Sequence, residues 1–141
     1  MPEVRRLLQS DLDIAARTVA GEARSEPYDD QVDVAQVLVN RWRSNVGQFR
    51  KDDTLATACL RHAQFSAWNM GDPNFAYMMT VDPTSREYRT AYAAVLEALD
   101  DGVDRTLGAL HYKVVGTPAS WAEGKTPCYT NAAHEFYRDV N

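Results

Sequence analysis

The sequence predicts a mostly helical α+β domain with a small β-sheet. Three observations carry that expectation. Four stretches place apolar residues at helical spacing, and one later stretch mixes small, aromatic and β-branched residues as a strand does. Nothing in the 141 residues, neither internal repeat nor low-complexity run nor Gly/Ser linker, divides the chain. Residues 1–141 are therefore expected to form a single domain, able to bury about two-thirds of its unfolded surface.

The first helix is expected to start at Ser10 as cap, with Asp11 and Asp13 complementing the dipole of its first turn. Its apolar face is Leu12, Ala15, Ala16, Val19 and Ala20, and it runs into Gly21 and Glu22. Pro27 then punctuates the chain, and a second helix over 30–43 carries Val32, Ala35, Leu38, Val39 and Trp42. Asp53 opens a short third helix through Leu55, Ala58 and Cys59. Thr84 and Glu87 form a capping-box pattern for a fourth, striped by Tyr88, Ala91, Val95, Leu96 and Leu99. Gly102 stands where a C-terminal cap belongs, and 107–115 reads as the strand. Two segments rich in aromatic and turn residues, 64–77 and 118–129, read as walls of a binding groove.

Composition narrows the partners. Hydrophobic residues make up 45% and charged residues 25%, as in an ordinary globular protein, and the net charge of −5 argues against a nucleic-acid phosphate backbone. No apolar run follows Arg5 and Arg6, so neither an export signal nor membrane insertion is expected, and synthesis in the cytoplasm is. Cys59 and Cys128 are too few for a disulfide framework and are expected as free thiols.

Glu22 ends an otherwise apolar helix, where a carboxyl group is partly desolvated and suited to general acid work. Glu26 stands four residues on and is a candidate helper, although Pro27 interrupts the helix that would align the two. Phe65, Trp68, Phe75, Tyr77, Tyr112, Trp121, Tyr129 and Tyr137 mingle with Gln64, Asn69, His111 and Asn131, a mixture that suits sugars, whose rings stack and whose hydroxyls need polar partners. His62, His111 and His134 lack metal-site spacing, so no metal and no cofactor is expected. Cys59 lies in an apolar helical pattern that disfavours a thiolate nucleophile.

Two blocks, Val19-Ala-Gly-Glu-Ala-Arg-Ser-Glu-Pro27 and Gln31-Val-Asp-Val-Ala-Gln-Val-Leu-Val-Asn-Arg41, resemble the SleB/CwlJ family of cell-wall hydrolases. The likeness continues through Ala63-Gln-Phe-Ser66, Asp104-Arg-Thr-Leu-Gly-Ala-Leu-His-Tyr112, Pro118-Ala-Ser-Trp121 and His134-Glu-Phe-Tyr137. The chain departs from the family's common pattern at Ser25, where glycine is usual, and at Leu110. The resemblance implies a lysozyme- or transglycosylase-like domain with a substrate cleft. It implies a lytic transglycosylase or muramidase acting on peptidoglycan glycan strands between N-acetylmuramic acid and N-acetylglucosamine, with Glu22 as catalytic acid/base.

On that basis Glu26, Gln64, Phe65, Ser66, Trp68, Asp104, His111, Tyr112 and Trp121 are the expected glycan-binding residues, and the enzyme is expected to work as a monomer. The rival expectations are a noncatalytic peptidoglycan-binding module and an amidase or peptidase of the stem peptide. A free-standing domain of this kind fits delivery to the cell wall from the cytoplasm, as by a phage.

Overall fold

Five helices and a three-stranded sheet make up the described part of the chain in a computed structural model, which describes residues 7–44, 54–60, 71–100, 102–138 and 140. The helices are α1 (Gln9–Ala23), α2 (Tyr28–Arg43), α3 (Leu55–Leu60), α4 (Phe75–Thr80) and α5 (Arg86–Leu99). They are followed by β1 (His111–Val114), a 3-10 turn at Ser120–Ala122, β2 (Tyr129–Thr130) and β3 (His134–Tyr137). The sequence expectation of a mostly helical α+β fold with a small sheet holds.

α2 is the central element. Every residue from Asp30 to Val39 is buried, because α1, α3 and α5 pack on it and β1 closes its remaining side. Small residues allow the close approach: Ala15, Ala20, Ala35 and Ala91 have no exposed surface where the three long helices meet. Val19, Val34, Leu38, Val39, Leu55 and Val95 fill the space between them, each fully buried aliphatic side chain contributing about 1.5–3 kcal/mol.

Polar bonds fasten the helices to one another. The Asp11 carboxylate, 2% exposed, accepts from the Leu8 N–H (2.9 Å) and from the Ala56 N–H (3.1 Å), so one side chain caps α1 and anchors α3. Arg17 pairs with Asp13 (3.1 Å) and donates to the Met78 carbonyl (2.8 Å), while the Tyr88 hydroxyl donates to Asp13 (2.6 Å). That network joins α1, α4 and α5.

Several expected boundaries move. Leu8, not Ser10, holds the cap position of α1, since Asp11 supplies the acceptor from inside the helix. Ser85, not Thr84, caps α5 by accepting from the Tyr88 N–H (3.2 Å), and the Thr84 hydroxyl bonds Asp82 instead. Asp100 ends α5 in extended backbone, so Gly102 is not the cap. Only 111–114 of the expected 107–115 strand is β: Leu107 (φ 59°) and Gly108 (φ 85°) make a left-handed turn. α4, β2 and β3 were not expected as elements, and Asp53 lies outside the described residues.

The sheet order is β1-β3-β2, all antiparallel, which places the last strand of the chain in the middle. Among the described residues, no helix is long and apolar enough to cross a membrane. Cys59 is buried, Cys128 is half-buried, and neither is in a disulfide.

Candidate active site

Glu22 occupies the last turn of α1 and is half-buried, between the buried residues Gly21 and Ala23. The chain then reverses: the Glu26 N–H donates to the Ala23 carbonyl (2.9 Å), and Pro27 takes the cap position of α2. The Gln31 amide donates back to the Glu26 carbonyl (3.1 Å), holding this turn against α2. Because α1 stops at Ala23, Glu22 and Glu26 do not share a helix face.

The sheet presents two faces to different surroundings. Tyr112 pairs with Phe136 and Val114 with His134 across β1 and β3, so Tyr112, His134 and Phe136 project to one side. Their rings touch: Tyr112 meets His134 edge-on at 5.1 Å and Phe136 at 6.0 Å. Tyr112 also packs against the helical core, so this face looks toward α1 and α2. His111, Lys113, Glu135 and Tyr137 occupy the other side, where Lys113 pairs with Glu135 and Trp121 packs tilted against His111 (5.1 Å) and edge-on against Tyr137 (5.3 Å).

Electrostatics locate Glu22 relative to the inner face. Burial, with the Glu22 charge next, pushes the Tyr112 phenol well above its ordinary value, and Arg41 opposes that shift. Glu22 and Tyr112 therefore stand close enough to feel one another. Burial lowers His134 while Glu26, Asp30 and Asp33 resist the shift. Asp30, 7% exposed, is raised by burial first and then by the Asp33 and Glu26 charges, and one of its oxygens has no hydrogen-bond partner. Glu22 is thus coupled to Tyr112, which meets His134 edge-on, and Glu26 and Asp30 are coupled to His134, so the five form a loose polar cluster where the ends of α1 and α2 meet the sheet.

A second layer holds that cluster in place. Asp33, 2% exposed, pairs with Arg105 (2.9 Å) and accepts from the Asn131 amide (3.0 Å). The Asn131 carbonyl oxygen accepts from the N–H groups of Ala133 (3.0 Å) and His134 (2.8 Å), fixing the turn that delivers His134.

The expected glycan-binding residues therefore divide. Glu26 and Tyr112 lie in the cluster with Glu22. His111 and Trp121 lie together on the opposite face of the sheet, where burial and Arg41 push His111 down to about 4. The Asp104 carboxylate accepts from Thr106 (2.8 and 2.6 Å), Gly108 (2.9 Å) and Asn40 (3.1 Å), so it organises the left-handed turn and ties it to α2. Gln64, Phe65, Ser66 and Trp68 lie outside the described residues, as does His62. His111 and His134 project from opposite faces and do not converge, and among the described residues no three His, Cys, Asp or Glu side chains could hold a metal.

Sequence reasoning missed Asp33 and Arg105 as site residues and took Asp30 only as a helix start. The signal that could have found them is the row Asp30, Asp33 and Val37, which puts two acids on the sheet-facing stripe of α2.

The family described as Cell Wall Hydrolase matches residues 25–137. The chain belongs to the cell wall hydrolase family. Glu22 stands three residues before the matched span. This cell wall hydrolase is 34% identical over 104 residues to a spore cortex-lytic enzyme of Oceanobacillus iheyensis, covering 74% of this chain and 32% of that protein. It is 36% identical over 103 residues to a spore cortex-lytic enzyme of Halalkalibacterium halodurans, covering 73% and 27%. The chain thus spans about a third or less of the curated relatives it matches.

The chain shares its fold with the catalytic domain of the Bacillus cereus SleB protein, with a TM-score of 0.74, 28% identity and 95% and 94% of the two chains covered. The catalytic domain of the germination-specific lytic transglycosylase SleB from Bacillus anthracis is equally similar, with a TM-score of 0.73, 27% identity and coverage of 96% and 99%.

Proposed function

We propose that this chain cleaves the glycan strands of peptidoglycan, with Glu22 as general acid and then base. The observation that carries the proposal is the half-buried Glu22 carboxyl at the end of α1, its charge acting on the Tyr112 phenol, inside a cell wall hydrolase fold. In this mechanism protonated Glu22 donates to the glycosidic oxygen as positive charge develops at the muramic acid anomeric carbon. The bond to the leaving sugar breaks, and the carboxylate left behind takes the proton of the incoming nucleophile.

When that nucleophile is the C6 hydroxyl of the same muramic acid, a 1,6-anhydro ring closes. The tethered hydroxyl has a high effective concentration and needs no second carboxylate. Similarity to a lytic transglycosylase domain supports this outcome. Attack by water instead gives a reducing end, and Glu26, whose charge reaches both His134 and Asp30, is the carboxylate at hand for that muramidase course. Tyr112 and His134 are assigned to holding the sugar at the cleavage point, and the protein is proposed to act at the wall, outside the cytoplasm.

Digestion of purified peptidoglycan, with fragments read by mass spectrometry without prior reduction, tests the proposal. Wild-type protein is expected to release anhydro-muramic ends, and Glu22→Gln to fold and release none, a loss of at least about a thousandfold. Reducing muramic ends would assign the muramidase course. An active Glu22→Gln protein, or new amino groups on intact strands, would overturn the assignment.

A further inference from the structure

Beside the cluster, where the α1–α2 turn meets the first turns of α5, lies a depression of about 360 Å³ lined by Arg24, Glu26, Gln31, Arg86, Glu87 and Thr90. Glu26 lines this depression and its charge also acts on His134, so the depression lies beside the cluster. The Arg24 guanidinium carbon lies over the Tyr77 ring, 3.8 Å from the centroid, and Arg24 makes a long contact to the Ala20 carbonyl (3.4 Å). Neither Arg24 nor Arg86 has a carboxylate partner among the described residues, although Glu26 and Glu87 line the same depression. A guanidinium held over an aromatic ring keeps N–H groups at its edge for two-point capture of a carboxylate.

Gln31 adds an independent observation. It is 3% exposed, its amide N–H₂ is bonded to Glu26, and its buried oxygen has no hydrogen-bond partner. A group that brings an N–H donor would satisfy it. The depression therefore offers two cations and two anions, beside a buried amide oxygen with no hydrogen-bond partner among the described residues, on a chain whose net charge is −5. That mixture fits a short peptide carrying carboxylates, amide N–H groups and an ammonium, and fits neither a neutral sugar nor a polyanion.

We propose that this depression binds the peptide stem carried by muramic acid, with Arg24 and Arg86 taking its carboxylates and Glu87 or Glu26 its ammonium. The proposal rests on the reading of the chain as a peptidoglycan-cleaving enzyme and specifies which part of that polymer it recognises beyond the scissile bond.

Calorimetric titration tests it on the wild-type protein with N-acetylmuramoyl tripeptide, the same compound with its carboxylates amidated, and N-acetylglucosamine. The free-carboxylate tripeptide is expected to bind at least about tenfold more tightly than the amidated one, a preference that weakens with salt. The Arg24→Gln/Arg86→Gln double variant is expected to erase that preference, and Arg138→Gln, at the end of β3, to keep it. Equal wild-type affinity for the two tripeptides would overturn the proposal whether or not the double variant folds. So would a double variant that retains the preference, or an affinity for N-acetylglucosamine equal to that for the tripeptide. Cleavage by Glu22→Gln would instead remove the catalytic assignment and leave this titration standing, so the two failures are distinguishable.

Discussion

At the scale of single residues, Asn131 carries more than its size suggests. Its side chain bonds Asp33 on α2 and caps two backbone N–H groups at the start of β3, so His134 is aimed by a residue three positions earlier. Asn131→Ala is expected to cost about 1–2 kcal/mol, measured by urea unfolding, and to lower strand cleavage more than that loss of folded protein explains. Glu22 was a candidate in the sequence because it ends an apolar run, and the blocks around it drew the family likeness. Asp33 and Arg105 were not, because an acid inside a helix reads as a solvated charge unless the element covering it is known. His111 and Trp121 were grouped with Tyr112 because adjacent aromatic and amide residues look alike in sequence. A strand sends neighbours to opposite faces, and which residues begin and end the strand decides which face is which.

At the scale of elements, helices were easier to read than strands. α1, α2, α3 and α5 follow the 3.6-residue recurrence of apolar side chains, whereas β2 and β3 are two and four residues long, too short for an alternating pattern to stand out. Their pairing is set by contacts distant in sequence, such as Tyr129 and Tyr112 both opposite Phe136. Caps were misplaced by one or two positions because Ser, Thr and Asp compete for the same N–H groups. Ser85→Ala separates the competitors: it is expected to lower stability by about 1 kcal/mol with an unchanged denaturant slope, and Thr84→Ala to change it less. An equal loss from both would return the cap to Thr84.

At the scale of the whole molecule, the two described histidines make stability depend on pH. His111 sits at about 4 in the folded chain and at about 6.5 when unfolded, because burial and Arg41 disfavour its charged form. The unfolded chain therefore takes up the proton first as pH falls. Stability is fully present above about 6.5 and is lost toward pH 4, by about 3 kcal/mol from His111 alone. His134, also lowered, acts in the same direction, while buried Asp30, raised, opposes it. Thermal melts between pH 7 and 4.5 are expected to show this decline, with a shallower slope for His111→Gln; parallel slopes would remove His111 as its source. One more consequence follows from the strand order. β3 is the sheet's middle member and the last of the three to be synthesised, so β1 and β2 have no partner until residues 134–137 leave the ribosome. His134 reaches Tyr112 only then, so the helices alone do not assemble the proposed wall-cutting centre and its completion waits on the third strand.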